Sequence, residues 1–376
     1  MSAPPPKQDI NWSGLDLSKP FPVNGHVEVR HHLATDTWTA PTLVEGDQVS
    51  ISGLSPGLNY GQQCYEGLKA FRQASTSGRS IAIFRPHFHH ARLCTSAAAV
   101  CLPAPPLELF LECLNLAVAH NAAFVPPHDT DLPAYLYIRP VLFGASSRVT
   151  LAPPDEVVLA VYVLPAVPYH GTAALDGVVL DDFDRAAPRG TGKYKVGGNY
   201  APVWRHAAKA REMGFGITLH LDSATREWVE EFSTSGFLGH YIEGEEKKGK
   251  EGEGGEATNV LLVPETDSAI ASATSDSIVQ IASRSAGWRV EKRPVRFSEL
   301  GRLDEVVAVG TAAAAVPVRS LSRLGTGEKY TFPRSENGPG PIAELARRMV
   351  DIQRGRAEDT DGWLYEVKGY PPQEEA

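Results

Sequence analysis

The sequence predicts an α/β chain built as two halves, and three observations carry this. First, its 376 residues exceed the roughly 100–200 of one average domain. Second, strand-like alternation and helix-like segments with start and stop signals recur in both parts of the chain. Third, the pattern breaks near residue 170, where Pro165, Pro168 and Gly171 interrupt it. The expected organisation is an N-terminal arm over 1–24, a small α/β domain over 25–168, a connection over 169–181 and a larger α/β domain over 182–376.

The elements follow in order. The arm is Pro-rich and polar, which predicts a loosely held segment. Residues 26–30 and 47–52 alternate apolar with polar and read as antiparallel strands. Pro86 opens a helix-like run to Val100, and 107–120 reads as a second helix. Tyr135 to Phe143 and the apolar run Val157 to Leu164 read as strands. In the second half, Asn199 to Met213 reads as a helix with Asn199 as cap, Pro202 in the first turn and Gly214 as stop. Phe215, Ile217, Leu219 and Leu221 then alternate as a half-buried strand. Ser272 to Ser285 is a helix with Ser, Thr and Asp at its mouth. Ile342, Leu345, Met349 and Ile352 share one helical face between Pro341 and Gly355. The run 243–256 is charged and without apolar residues, so it reads as a disordered loop.

Composition narrows the function classes. Hydrophobic residues make up 42% and charged residues 22%, as in globular proteins. A net charge of -9 without a basic stripe argues against nucleic acid. Cys64, Cys94, Cys101 and Cys113 lack metal-finger spacing, and no apolar run is long enough to span a bilayer. The expectation is a cytoplasmic protein whose partners are small molecules, with no metal, nucleic acid or membrane.

Three motifs mislead. Gly53 to Gly57 matches G-x-S-x-G, but Pro56 follows the serine and has no N–H to give an oxyanion. His87, His89 and His90 cluster without matching acids or cysteines, so they read as a solvated helix start. Gly192-Lys193 fails as a phosphate loop because Ala187 and Tyr194 stand where glycine and Ser or Thr are needed.

The stretch G-K-Y-K-V-G-G-N-Y (192–200) raises a different chemistry. A lysine with a desolvated amine forms a Schiff base with an aldehyde. Lys193 and Lys195 are two apart, so on a strand both face one way, and periodicity does not choose between them.

Seven stretches in one order resolve the choice. They are C-Y-E-G-L-K-A-F (64–71), R-P-H-F-H-H-A-R-L (85–93), Y-I-R-P-V-L-F-G (137–144), G-T-G-K-Y-K-V-G-G-N-Y (190–200), E-F-S-T-S-G-F (231–237), T-S-D-S (274–277) and G-T-A-A (310–313). In these the chain resembles the eukaryotic-type branched-chain amino-acid aminotransferases, over about residues 25–368. The resemblance implies the two-domain fold-type IV architecture shared with D-amino-acid aminotransferases, pyridoxal 5'-phosphate as cofactor, and a homodimer.

It also implies roles. Lys195 matches the family lysine ahead of the small-residue pair, which makes Lys193 a bystander. Glu231 matches the acid beside the pyridine nitrogen, where a carboxylate keeps the ring protonated. Arg92, Thr311 and the amides of Ala273 and Thr274 match the phosphate ligands, as a helix N-terminus suits an anion. Tyr200 matches the tyrosine on the phenolic oxygen. Tyr137, Arg139 and the amides of Thr311 and Ala312 match carboxylate binders. Tyr60, Tyr65, Gly67 and Lys69 match the first-half pocket segment, with Tyr60 reaching the partner's active site. The implied reaction is ping-pong transfer of an amino group between L-branched-chain amino acids and 2-oxoglutarate. Gly236 departs from the family's asparagine. The same fold also supports (R)-selective amine transaminases acting on bulky or aryl amines, and D-amino-acid transaminases, so these remain alternatives.

Overall fold

The computed structural model describes residues 2–15, 21–129, 133–168, 173–244, 257–311, 314–336 and 340–371. The chain divides into two compact units. One comprises Met1–Pro168, Tyr194–Gly198 and Asp351–Ala376, and the other Tyr169–Lys193 and Asn199–Val350.

The first unit holds β1 (Gly25–His32), β2 (Thr37–Trp38), β3 (Thr42–Glu45), β4 (Gln63–Tyr65), β5 (Leu68–Arg72), β6 (Ile81–Phe84), β7 (Tyr135–Gly144) and β8 (Glu156–Ala166), with helices α1 (Pro56–Asn59), α2 (Pro86–Ala99) and α3 (Leu107–His120). The long pairing of β7 with β8, from Tyr135↔Ala166 to Gly144↔Val157, sets the register of this sheet. Successive side chains on a strand point to opposite faces. Leu136, Ile138, Leu142, Leu159, Val161 and Val163 therefore share one face, where they join Leu93, Ala97, Phe110, Cys113 and Leu114 of the helices in the core. The alternate residues, Tyr135, Tyr137, Arg139, Tyr162 and Leu164, form the other face. One face is for packing, and the opposite one carries the chemistry-bearing groups.

The second unit holds β9 (Leu175–Val179), α4 (Trp204–Glu212), β10 (Ile217–Leu221), β11 (Val229–Phe232), β12 (Gly236–Glu243), β13 (Thr258–Pro264), α5 (Ala273–Ser283), β14 (Trp288–Arg293), β15 (Glu305–Gly310), β16 (Ala314–Arg323), β17 (Glu328–Thr331), α6 (Pro333–Glu336) and, as far as Val350, α7 (Pro341–Gln353). Its strand order is β11-β10-β9-β16-β15-β12-β13-β14, with β17 on β16. Phe232, Phe297, Phe332, Leu219 and Val306 lie in its core. The last strand, β18 (Leu364–Glu366), pairs with β6 of the first sheet.

Several expectations change. Residues 47–52 form no strand. Gly46 turns at φ +72 after β3, and Val49 and Ile51 rest on Phe143, Ala145, Val158 and Ala160. Their alternation marks one resting side, not a ladder. The arm is tied down, because the Ala3 N–H donates to Arg79 O at 2.8 Å and the Lys7 N–H to Ala123 O at 2.9 Å. Residues 351–371, expected in the larger domain, pack with the first unit through β18 and the Arg354 bond to Ala134 O. Two 3-10 turns, Gly197–Asn199 and Ala201–Val203, precede α4, so the helix begins later than Asn199. All five residues of β10 are buried, not alternate ones. Beyond Gly244, the acidic run 243–256 lies outside the described residues.

One buried acid matters for stability. Glu305 of β15 is fully buried, and its Oε2 accepts the Ile342 N–H at the start of α7 at 2.8 Å. Its Oε1 has no hydrogen-bond partner among the described residues. Burial pushes its carboxyl up to about 7, against the pull of the Ile342 and Ala343 amides. The fold thus holds the proton better than the unfolded chain does. This contribution is present below the ordinary carboxylate value and is lost as pH rises through about 7. Glu305→Gln removes the loss. Its melting temperature relative to the parent is expected to rise between pH 5 and pH 8, by an amount equivalent to about 2 kcal/mol. Thermal melts across that range check it; a pH-independent difference contradicts it.

Candidate active site

In the first unit the site begins with one lysine. Lys195 is not on a strand. Lys193 stands exposed in a turn, whereas Lys195, two residues on, is half-buried. The Lys195 N–H donates to Ser96 Oγ at 2.9 Å. Its carbonyl accepts the Tyr65 N–H at 3.1 Å, and Val196 bridges Cys64. The main chain is thereby fixed against α2 and β4. A Cβ at Gly197 would stand 1.9 Å from Gln63 Nε2, so a side chain there would displace the end of Gln63. The Lys195 Nζ stands 4.6 Å from the centroid of the Tyr65 ring.

Tyr65, Tyr137 and Arg139 are brought together with it. The Arg139 guanidinium lies 4.6 Å from the Tyr65 ring, and its Nη2 donates to the Tyr137 hydroxyl at 2.7 Å. That hydroxyl sits 2.3 Å from where a Cβ of residue 67 would stand, which explains Gly67. Lys69, opposite Tyr137 in the β5–β7 register, points instead to Tyr135, with its Nζ 4.0 Å from that ring. Burial and, next, the Arg354 charge lower its ammonium to about 7. An amine, a guanidinium–phenol pair and a second buried amine thus share the face opposite the core. Tyr60 stands apart from them, exposed at the end of α1.

Arg92 lies on α2 and is held by Glu66. Its Nε and Nη2 donate to the two carboxylate oxygens at 2.7 and 2.6 Å. Burial alone would raise Glu66, but the Arg92 guanidinium overcomes it and His89 adds to the effect, holding the carboxyl well below its usual range. His89, read from sequence as solvated, is buried, and its Nδ1 lies 2.6 Å from Glu66 Oε2.

The second unit carries the other groups. Glu231, on β11, is buried, with its Oε1 2.5 Å from Arg185 Nη1. The same oxygen accepts the Ile270 N–H at 3.3 Å. Ile270 lies on the approach to α5, so this bond ties the acid to the loop before that helix. At the mouth of α5, Ser272 Oγ caps the Ser275 N–H at 3.1 Å. The amides of Ala273 and Thr274 belong to the same first turn, where the helix dipole favours an anion. Thr311 follows Gly310 at the end of β15, and Gly310 packs by Thr234 and Ser235. Gly236 faces Val309 across the ladder. A Cβ at 236 would come within 2.9 Å of Ser275 Oγ, so a larger residue there would turn that hydroxyl aside. Tyr200 is half-buried ahead of the turn at Ala201–Val203. Ala312 lies outside the described residues.

Behind Glu231, Thr218 and Ser233 share a short hydroxyl contact, and Ser233 Oγ lies 2.7 Å from His220 Nε2. Burial, then the Arg185 charge, push His220 down to about 3, so it is a neutral imidazole. Glu230 is buried too. Burial raises its carboxyl, and a bond to Ser268 opposes this.

Sequence reasoning missed Arg185, Glu66, His89 and Ser96. Arg185 had one available signal: one of two arginines, with Arg189, in a stretch rich in small residues, ten positions before Lys195. For Glu66, the signal was a charge flanked by apolar strand residues in C-Y-E-G-L. Among the described residues, no group of three acids, histidines or cysteines suits a metal, and no helix is long and apolar enough to cross a membrane.

The buried Arg185–Glu231 pair yields a prediction. Removing one partner of a buried ion pair leaves an uncompensated charge, at a cost of roughly 3–5 kcal/mol, whereas removing both is far milder. Arg185→Leu is expected to lower the thermal midpoint strongly, and Arg185→Leu with Glu231→Leu to recover most of the loss. Melting curves of the two single variants and the double variant check this; additive losses contradict it.

Comparisons with known proteins identify the family. The model of the class IV aminotransferase family matches residues 63–321. The aminotransferase poxL of Penicillium oxalicum is 45% identical, covering 97% of this chain and 95% of the relative. The branched-chain amino acid aminotransferase gloG of Glarea lozoyensis is 42% identical, covering 96% of each. Among solved structures, the branched-chain amino acid aminotransferase of Thermobaculum terrenum in its PLP form superposes with a TM-score of 0.70 at 19% identity, covering 92% of this chain and 99% of the other. The chain belongs to the class IV aminotransferases and has the fold-type IV architecture expected from its motifs.

Proposed function

We propose that this aminotransferase uses pyridoxal 5'-phosphate to move an amino group between L-branched-chain amino acids and 2-oxoglutarate by a ping-pong mechanism. The observation that carries the reading is the Lys195 amine on a pinned main chain, over the same Tyr65 ring as the Arg139 guanidinium, whose Nη2 holds the Tyr137 hydroxyl. An amine and a carboxylate-recognising fork on one ring suit an amino acid better than a simple amine.

The donor set fits the cofactor. Its aldehyde needs an amine, its ring nitrogen a carboxylate and its phosphate an anion cradle. The first unit supplies the amine of Lys195 and the guanidinium of Arg92; the second supplies the carboxylate of Glu231 and the amides at the mouth of α5. When bound, pyridoxal phosphate supplies an aldehyde for the substrate amine and a ring that accepts electrons. Lys195 carries the proton at its Nζ, taking it from the substrate Cα as general base and returning it as acid. Glu231, held by Arg185 and the Ile270 N–H, presents a fixed carboxylate to the ring nitrogen. Tyr200 serves the phenolic oxygen, and Arg92, Ala273, Thr274 and Thr311 serve the phosphate. Tyr137, Arg139, Lys69, Tyr65 and the amides of Thr311 and Ala312 bind substrate carboxylate and side chain.

The working unit is a homodimer in this reading, with Tyr60 serving the partner's site. Leu54, Leu58 and Tyr60 are exposed, as are Val149 and Leu151. A Ser52–Ser147 hydroxyl bond of 3.0 Å ties these two loops, and this apolar exposure supports the dimer reading. The unbridged thiols Cys64, Cys94, Cys101 and Cys113 fit a cytoplasmic location.

A second reading, an (R)-selective transaminase of aryl amines, is favoured by one feature. Tyr65, Tyr135, Tyr137 and Tyr162 make the face opposite the core strongly aromatic. A substrate panel separates the two. Leucine and isoleucine are expected to turn over with 2-oxoglutarate, and Arg139→Leu to cut that turnover by about 100-fold, the effect of losing a charged bidentate contact. Turnover of (R)-1-phenylethylamine with no reaction of leucine or isoleucine contradicts the branched-chain assignment.

A further inference from the structure

We propose that His89 is a positioning residue for the phosphate-binding arginine: it locks the Glu66 carboxylate that in turn sets the plane of the Arg92 guanidinium. The inference rests on reading Arg92 as the cofactor's phosphate cation.

The geometry starts on α2, where His89 and Arg92 are three apart and so lie on one face. Both reach Glu66, which is completely buried on the link between β4 and β5. Glu66 Oε1 accepts Arg92 Nε at 2.7 Å, and Oε2 accepts Arg92 Nη2 at 2.6 Å. Two parallel bonds fix a guanidinium in plane as well as in place. Yet a carboxylate gripped only by its arginine can rotate with it. Oε2 has two further partners, the Gly67 N–H at 3.3 Å and His89 Nδ1 at 2.6 Å. The amide contact is long and the imidazole contact short, so His89 supplies the firm third anchor.

The protonation state agrees with this role. Burial lowers the imidazole, with Arg92 and Lys195 pushing the same way against Glu66. A neutral ring donates through Nδ1 to the carboxylate and adds no charge to the pair. His89 therefore orients without contributing to the attraction of an anion. Four positions further along from Arg92, Ser96 of the same helix accepts the Lys195 N–H. One helix thus orders both the cation and the main chain of the amine.

The test measures binding to the full-length protein stripped of cofactor, by quenching of tryptophan fluorescence, with two probes: pyridoxal phosphate and pyridoxal, which lacks the phosphate. His89→Leu is expected to weaken pyridoxal phosphate about tenfold, the scale of one hydrogen bond to a charged group, and to leave pyridoxal within about twofold. His89→Asn, whose Nδ2 stands where the imidazole Nδ1 was, is expected to restore most of the loss. If His89→Leu does not fold, His89→Gln gives the same readout, because it is polar but places its donor beyond the Nδ1 position. Equal weakening of both probes, or no change in either, overturns the inference. Arg92→Leu separates the failures: if it too leaves the preference for the phosphorylated probe unchanged, the reading of Arg92 as phosphate cation falls with it.

Discussion

The constraint on which the site depends is the fixing of one peptide segment. In the role proposed for it, the Lys195 amine attacks and then shuttles a proton, which requires a backbone that does not drift. At Lys195 the N–H is held by Ser96 of α2 and the carbonyl by the Tyr65 amide of β4. Both anchors exist because the sheet of the first unit is two-faced. Its apolar face binds α2 and α3, and that packing places Ser96 where the Lys195 segment passes. Its other face turns Tyr65, Tyr137 and Arg139 toward the amine.

Each unit also buries one carboxylate against one guanidinium: Glu66 with Arg92, and Glu231 with Arg185. Charges removed from water need such compensation. In both pairs an arginine, not a lysine, does it, since a planar fork fixes direction as well as charge. Around each pair stands a histidine that burial keeps neutral: His89 beside Glu66, and His220 among the hydroxyls behind Glu231. Directional hydrogen bonds are retained in this way without a competing positive charge.

Much of the frame was legible in the sequence, because helix and strand periods come from burial of one side. The segments at 86–100, 107–120, 135–143 and 157–164 all lie within one or two residues of α2, α3, β7 and β8. Long-range effects were not legible. Residues 47–52 alternate as a strand does, yet rest on a neighbouring face without ladder partners. The return of β18 to β6 depends on a contact across most of the chain. For the site, local pattern treated Lys193 and Lys195 alike, and the turn that exposes one and half-buries the other reflects Ser96, about a hundred residues earlier. His89 looked like one of three surface histidines because its partner, Glu66, lies on another element.

The central claim is that Lys195, and not its neighbour two residues before, is the amine that bonds to the cofactor. Borohydride reduction of the enzyme purified with its cofactor, followed by peptide mapping, tests it most directly. The account predicts a single pyridoxyl tag on Lys195. A tag on Lys193, or no tagged peptide from a protein that retains bound cofactor, would contradict it.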